Sequence, residues 1–199
     1  MSSTRSASKQ RSTKETTISV ALDIDGPTGV VSATTGLPFF DHMLDQLGRH
    51  GGFDLAVVAT GDLQVDGHHT VEDVAITIGE VFKEALGDKA GIRRFASGLF
   101  PLDEALVEVA LDLSGRPFTA YDVPFGEVLP LGDPPFNPEM AEHFWQSFAT
   151  AAGVTLHVRL REGRNTHHIV EATFKAVARC LRDAVRVEGG GVPSTKGVI

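Results

Sequence analysis

The sequence predicts an α+β protein built from two similar half-units, each with a sheet packed against helices. The first observation is an internal repeat: residues 15–26 align with residues 104–115 through the shared core V-A-L-D-I/L-x-G, and the run that begins at His68 aligns with the run that begins at His167. The second is the change of period within each half. Apolar residues alternate in the first segment, as in a strand with one buried face, and recur every three or four residues in the second, as in a helix. Because a duplicated unit determines the architecture, both halves are expected to share one fold.

Each half is predicted to run strand, strand, short helix, strand and longer helix, a β-β-α-β-α unit. The opening strands are residues 18–24 and 107–113, where apolar and polar side chains alternate. Turns rich in glycine and proline follow both of them. The remaining segments pair between the halves: short helices near 41–47 and 142–148, strands near 55–57 and 156–158, and longer helices from 68 and 167.

The repeat also predicts the domain organisation. We expect a flexible tail over residues 1–10, a first half over 11–93, a second half over 94–187 and a C-terminal tail over 188–199. The first tail is basic and rich in serine, and it lacks the apolar segment of a secretory signal. The last is rich in glycine and follows the final predicted helix.

Composition excludes several classes of protein. A hydrophobic fraction of 42% with 22% charged residues is that of a globular chain. The net charge of −8 opposes binding to nucleic acid or an anionic membrane, so an anionic ligand requires a local basic cluster. Apolar runs fall far short of the ~20 residues that cross a bilayer. The single cysteine, Cys180, cannot form an internal disulfide, which favours a reducing compartment and a cytoplasmic location.

Histidines at equivalent positions of the repeat indicate a metal site. Each His-His pair is followed by a glutamate, Glu72 or Glu171, so that a histidine and a glutamate share one helical face. Neighbouring residues of a helix point about 100° apart, which directs the two histidines of a pair to different ions. The candidate ligands, six of the eight histidines and two glutamates, are His42, His68, His69, Glu72, His143, His167, His168 and Glu171. The sequence therefore predicts two metal ions.

The ligand chemistry limits the choice of metal but does not identify one element. Imidazole and carboxylate ligands without thiolates favour Mn, Fe, Co, Ni or Zn over Ca or Mg. The alternative interpretation of each motif is a solvated polar helix face, but repetition in register favours metal. His50 and His157 lack such pairing and are expected to be structural or surface residues.

Six longer motifs occur in order along the chain: P-F-F-D-H-M-L-D-Q-L at 38–47, D-G-H-H-T-V-E-D at 66–73, P-L-D-E-A-L at 101–106, S-G-R-P at 114–117, H-H-I-V-E-A-T-F-K-A at 167–176 and P-S-T-K-G-V at 193–198. Together they resemble imidazoleglycerol-phosphate dehydratase, an enzyme family of histidine biosynthesis. The resemblance implies dehydration of D-erythro-imidazoleglycerol phosphate to imidazoleacetol phosphate and water. It also implies two Mn(II) ions per active site, half-units like the second domain of a ribosomal small-subunit protein, and a homo-oligomer of 24 subunits (a 24-mer) built from trimers.

The resemblance also implies roles for individual residues. One ion would be held by His68, His143, His167 and Glu171, and the other by His42, His69, Glu72 and His168, in sites between subunits. The substrate and its phosphate would contact Gln46, Arg94, Arg116 and Lys175, together with Ser194 and Lys196 of the C-terminal tail. Glu15 is the preferred general acid or base, with Glu171 as a metal-bound competitor. Glu104 is the repeat counterpart of Glu15, so which of these two carboxylates faces the ligand stays open.

The reaction implied by the resemblance needs help from metal, since it removes a carbon-bound proton that no carbonyl acidifies. A substrate ring held as imidazolate by two ions would accept electron density while hydroxide departs. Two alternatives remain open: a dinuclear metallohydrolase, in which bridging water attacks, and a metal-stabilised shell or storage protein. The basic residues argue against storage, which gains nothing from a phosphate site. Neither nucleic acid nor membrane is expected as a partner.

Overall fold

Two four-stranded sheets and four helices form the part of the chain that this computed structural model describes, residues 5–26, 29–126 and 129–195. The first half contains β1 (Ser6–Ser12), β2 (Thr16–Asp23), β3 (Val31–Thr34), α1 (Pro38–Gly51), β4 (Asp54–Gly61) and α2 (His68–Leu86). The second half contains β5 (Phe95–Leu102), β6 (Ala105–Asp112), β7 (Phe118–Asp122), α3 (Met140–Ala152), β8 (Thr155–Glu162) and α4 (Thr166–Ala184).

The two sheets have the same topology, with strand orders β1-β2-β4-β3 and β5-β6-β8-β7. In each sheet the first three strands of the order are antiparallel neighbours, and the last strand pairs in parallel at the edge. The predicted α+β class and the internal duplication are therefore confirmed.

Each half-unit has one more strand than predicted, because β1 and β5 precede the β-β-α-β-α series. The flexible tail predicted for residues 1–10 is wrong for residues 6–10, which belong to β1 (Ser6–Ser12) and pair with β2. The sequence of β1, SASKQRS, offers no apolar alternation because the strand lies at the sheet edge with its side chains exposed or half-buried. Residues 1–4 lie outside the described residues.

All four helices pack between the two sheets, which joins the halves through one core. α2 covers β1 and β2 and packs against α3, while α4 covers β5 and β6 and packs against α1. Aromatic side chains with almost no exposure fill the centre: Phe40, Phe144, Trp145 and Phe148. The helix pairing brings α2 of one half beside α3 of the other, and α4 beside α1. Among the described residues, none of the helices combines the length and apolar character that crossing a bilayer requires.

Candidate metal centres and phosphate cleft

The first candidate metal centre lies where α2 packs against α3. It contains His68 and Glu72, one helical turn apart, and His143 of α3, with ligand atoms all within 4.8 Å of one another. The rings of His68 and His143 are 4.1 Å apart between centroids. His143 Nε2 is buried and lacks a hydrogen-bond partner among the described residues. The nearest carboxylate oxygen of the trio, Glu72 Oε1, is 3.6 Å away. A buried ring nitrogen without a partner fits a metal ligand, because a bound ion would satisfy its lone pair.

The second candidate centre is the repeat equivalent of the first, where α1 packs against α4. His42 of α1 joins His167 and Glu171 of α4, again with ligand atoms within 4.8 Å of one another. Glu171 Oε2 lies 2.9 Å from His167 Nε2 and 3.3 Å from His42 Nε2. Both trios offer two imidazoles and one carboxylate, a donor set suited to divalent transition metals.

Charge and burial act in opposite directions on Glu171. Burial raises the pKa of its carboxyl, but hydrogen bonds from Lys175 and His167 outweigh burial and bring the pKa to about 2. The Lys175 ammonium is 2.6 Å from Glu171 Oε1. Glu171 is therefore ionised at neutral pH, as a carboxylate ligand must be.

The second histidine of each pair, His69 or His168, lies outside the trio that holds the first, with the two ring centroids 6.3 and 6.1 Å apart. The planes of His68 and His69 are at 90°, and those of His167 and His168 are at 81°. His69 Nδ1 lies 3.0 Å from Asp62 Oδ2, and hydrogen bonding to this carboxylate raises the pKa of His69. The pKa of His168 is raised in the same way by hydrogen bonding to Glu104, whose Oε2 lies 2.7 Å from His168 Nδ1.

Within one chain the ligands are grouped differently from the division that the family resemblance implied. His68 and His143 do lie together, but His167 and Glu171 lie with His42. Likewise Glu72 lies beside His68 and His143. The reason is geometric, because a spacing of four residues places the first histidine and the glutamate of each motif on one helical face. The implied four-ligand sets therefore require residues from more than one subunit.

Glu15 occupies the turn between β1 and β2 and is exposed. Thr13 Oγ1 accepts hydrogen bonds from the backbone N–H groups of Glu15 and Thr16, at 3.2 and 3.0 Å. The Thr16 hydroxyl in turn donates to the buried carboxylate of Asp73, the residue after Glu72. The turn is thereby fixed to the helix that carries one candidate metal centre. The Glu15 charge also helps to raise the pKa of His69.

Gln46 is buried on α1 one turn after His42. Its Nε2 lies 3.4 Å from His42 Nδ1. The predicted substrate-orienting residue therefore contacts a candidate metal ligand directly.

A separate basic cleft of about 660 Å³ is lined by Arg94, Arg116 and residues 193–195. Arg94 is held by both oxygens of Asp112, at 2.6 and 3.0 Å, and donates to the carbonyl of Pro193. The structure thus brings together Arg94, Arg116 and Ser194, three of the predicted phosphate-binding residues. Lys175 lies with Glu171 instead, and Lys196 lies outside the described residues.

Two contributors to the site were missed by reasoning from sequence. Asn165 caps α4 by accepting hydrogen bonds from the N–H groups of His167 and His168, at 2.9 and 3.3 Å. Asparagine directly before a helical run was the available signal. Asp62 was missed because it contacts His69 from the loop after β4, and no helical spacing relates the two residues.

Comparisons with known proteins identify the family of the chain. A family model described as imidazoleglycerol-phosphate dehydratase matches residues 35–181. The enzyme of that name from Acidothermus cellulolyticus is 58% identical over 196 residues, covering 98% of this chain and 93% of the relative. The one from Methanopyrus kandleri is 51% identical over 199 residues, covering 100% of this chain and 98% of the relative.

Solved structures give the same result. The imidazoleglycerol-phosphate dehydratase of Staphylococcus aureus superposes with a TM-score of 0.81 at 32% identity, covering 92% of this chain and 99% of that one. The imidazoleglycerol-phosphate dehydratase of Pyrococcus furiosus, in a complex with (S)-C348, has a TM-score of 0.81 at 35% identity. The match covers 96% of this chain and 100% of that one. The chain belongs to the imidazoleglycerol-phosphate dehydratase family, and it is an enzyme of histidine biosynthesis.

Proposed function

We propose that this dehydratase converts D-erythro-imidazoleglycerol phosphate to imidazoleacetol phosphate and water with two Mn(II) ions per active site, the substrate ring being bound as imidazolate. The observation that carries the proposal is the pair of His-His-Glu trios in repeat-equivalent positions of a chain that also has a basic cleft. Storage would gain nothing from a basic cleft, and membership of a dehydratase family favours dehydration over hydrolysis.

The proposed ligands are the histidines and glutamates of the two trios together with His69 and His168. When bound, the ions would supply Lewis acidity that stabilises the substrate ring in its electron-rich form. Imidazole and carboxylate ligands also suit other divalent transition metals, so Mn(II) is proposed from the family and not from the donor set alone.

We assign the transfer of the carbon-bound proton to Glu15. Its carboxylate is exposed, and none of the hydrogen bonds or ion pairs among residues 5–26, 29–126 and 129–195 involves it. Glu171 by contrast is 12% exposed and already contacts Lys175, His167 and His42, which suits a metal ligand better than a proton carrier. A carboxylate that moves a proton must reach the substrate, and Glu15 is accessible.

The phosphate is assigned to the basic cleft. Because the chain carries a net charge of −8, only a local cluster of cations can attract a phosphate. Guanidinium groups suit this role, since their planar N–H donors can meet two phosphate oxygens at once. Arg94 and Arg116 would provide them, together with Ser194 and Lys196 of the C-terminal tail. Lys175, which lies beside Glu171, would contribute from the side of the metal centre.

We further propose that the enzyme assembles into a 24-mer from trimers, with active sites between subunits, in the cytoplasm. The incomplete ligand sets of a single chain support shared sites. The outer faces of the sheets also carry exposed apolar side chains, including Val58 at 57%, Leu99 at 59% and Phe118 at 56% exposure, which a contact between subunits would cover. The acidic net charge supports the absence of nucleic acid or membrane partners.

An assay of protein stripped of metal with a chelator and then reloaded with manganese tests the proposal. Imidazoleglycerol phosphate should give imidazoleacetol phosphate, with the phosphate ester intact, only after manganese is restored. Release of inorganic phosphate without the ketone would support the metallohydrolase alternative. Manganese binding without any turnover would support a shell or storage protein.

A further inference from the structure

The two halves of the chain use their equivalent glutamates differently. Glu15 and Glu104 precede the matching strands β2 and β6 and align with each other in the repeat. Glu104 Oε2 lies 2.7 Å from His168 Nδ1. The Glu15 carboxylate makes no hydrogen bond or ion pair within the described parts of the chain.

Glu104 is fixed by more than its histidine. Its other oxygen, Oε1, accepts hydrogen bonds from the backbone N–H groups of Arg164 and Asn165, at 3.2 and 2.8 Å. Asn165 in turn caps α4 at the two histidines. Glu104 therefore holds both the His168 ring and the loop that begins the ligand-bearing helix.

In the first half the corresponding contact comes from a different position. His69 Nδ1 is 3.0 and 3.3 Å from the two oxygens of Asp62, the residue that directly follows β4. The residue that directly follows β8 is Gly163, where an added Cβ would lie 2.8 Å from the Ile169 side chain. The second half has no room for a carboxylate there, and Glu104 makes the contact instead.

These contacts determine which ring nitrogen is available. A neutral imidazole has one N–H group, and a carboxylate beside Nδ1 accepts its hydrogen bond, which keeps the proton on Nδ1. Nε2 then carries the lone pair that binds a metal ion, and the ring orientation is fixed at the same time. His168 Nε2 is 3.7 Å from the exposed carboxylate of Asp103, which is beyond hydrogen-bond distance and leaves this nitrogen open.

We propose that Asp62 and Glu104 are positioning residues that present Nε2 of His69 and His168 to the metal ions, and that Glu15, the repeat counterpart of Glu104, does not share this role. The inference rests on the proposed metal function. Glu15 and Glu104 are equivalent in the repeat, but Asp62 contacts His69 Nδ1 in the first half, so Glu15 is not needed for that contact.

Three variants of the full-length enzyme test this division: Glu104→Gln, Asp62→Asn and Glu15→Gln. The first and last make the same chemical change at equivalent positions of the repeat. A glutamine at 104 can keep its oxygen on the two backbone N–H groups and turn its amide N–H toward His168 Nδ1, which favours the wrong tautomer. The affinity of metal-free protein for Mn(II) is measured by isothermal titration calorimetry, and turnover is measured in parallel.

Glu104→Gln and Asp62→Asn should each weaken Mn(II) binding by about 10- to 100-fold. Glu15→Gln should bind Mn(II) like the unmodified enzyme and lose turnover. Equal affinity in all four proteins would overturn the positioning role, and weakened binding in Glu15→Gln would overturn the division. If Glu104→Gln does not fold, Asp62→Asn decides the outcome. Failure of the unmodified enzyme to bind Mn(II) would instead contradict the proposed metal function itself.

Discussion

Arg94 and Arg116 line one cleft but are held very differently. Arg94 is 12% exposed and pairs with Asp112, so its loss would also disturb the strand that carries this aspartate. Arg116 lies in the turn after β6 and is exposed. Arg116 therefore offers the cleaner test of phosphate binding.

Arg116→Ala should raise KM for imidazoleglycerol phosphate about 10- to 100-fold, because charge-assisted hydrogen bonds to a phosphate are lost. Mn(II) binding should be unchanged, since the candidate metal ligands lie on the helices. Steady-state kinetics and metal titration check both statements. Arg49→Ala, which removes an exposed arginine paired with Asp45, is the matched control. An unchanged KM in Arg116→Ala would remove this residue from the phosphate site.

Because of Cys180, the free energy of unfolding is expected to fall as pH rises into the alkaline range. Its side chain is 1% exposed, and burial raises the pKa of the thiol to about 12. The neutral thiol is therefore favoured in the folded state, and its contribution is complete below the unfolded pKa. This contribution is lost as pH rises from about 9 toward the folded pKa.

From about pH 8 to about pH 10, the native chain should lose about 1 kcal/mol more stability than Cys180→Ala loses. Urea unfolding of both proteins at the two pH values measures the difference. Alanine lowers stability at both values through lost packing, so only the change with pH is compared. Parallel pH dependence in the two proteins would show that the thiol does not ionise on unfolding.

At the scale of elements, the contact of α2 with α3 positions the first candidate metal centre. Gly79 on α2 permits this contact, because an added Cβ would lie 2.7 Å from the Phe148 carbonyl oxygen and 2.8 Å from the Ala151 Cβ. The two helices must be this close for His143 to reach His68 and Glu72.

Gly79→Ala should destabilise the protein by about 1–2 kcal/mol, because overpacking outweighs the better helix propensity of alanine. Urea unfolding measures the loss, and manganese affinity should fall with it. Gly126→Ala, where the described structure leaves open space for a Cβ, is the control. Stability equal to that of the unmodified protein would mean that the helices adjust without cost.

The periodic elements could be predicted from sequence, and the first strand of each half, β1 and β5, could not. β2, β6, α2 and α4 each have a buried face that a period of two or 3.6 residues reveals. β1 pairs with β2 in a hairpin, and its exposed or half-buried side chains leave no periodic pattern in SASKQRS. The site residues were likewise predictable only where a sequence period relates them. The His-Glu spacing of four residues was readable, whereas the contact of Asp62 with His69 depends on how a loop closes.

In the molecule as a whole, duplication places one His-His-Glu trio at each of the two helix contacts that join the halves, α2 with α3 and α1 with α4. These helices lie between the two sheets. The trios are near repeats of each other, yet the surrounding carboxylates are not. In the proposed division, this asymmetry would allow two similar halves to serve one reaction, with Glu104 held at the start of α4 and Glu15 accessible. In the proposed assembly, the outer faces of the sheets would be available for contacts between subunits.

Activity and assembly should decline together below about pH 6, because protons displace metal from the ligating imidazoles. Carboxylate partners raise the pKa of His69 and His168, so protons compete with metal at these two residues from a higher pH than at an ordinary histidine. Mass measurements across pH at constant manganese, with parallel assays, follow both properties. Particles that stay assembled and active near pH 5 would contradict the coupling.

The central claim is that the repeated histidines and glutamates bind two ions, which hold the ring of the substrate. An anomalous difference map from crystals grown with manganese and an imidazole or triazole phosphate analogue tests it most directly. We expect two manganese peaks per active site, both against Nε2 atoms of the six repeated histidines and both in contact with the ring of the analogue. A map without manganese at these histidines, in crystals where the analogue occupies the cleft, would contradict the account.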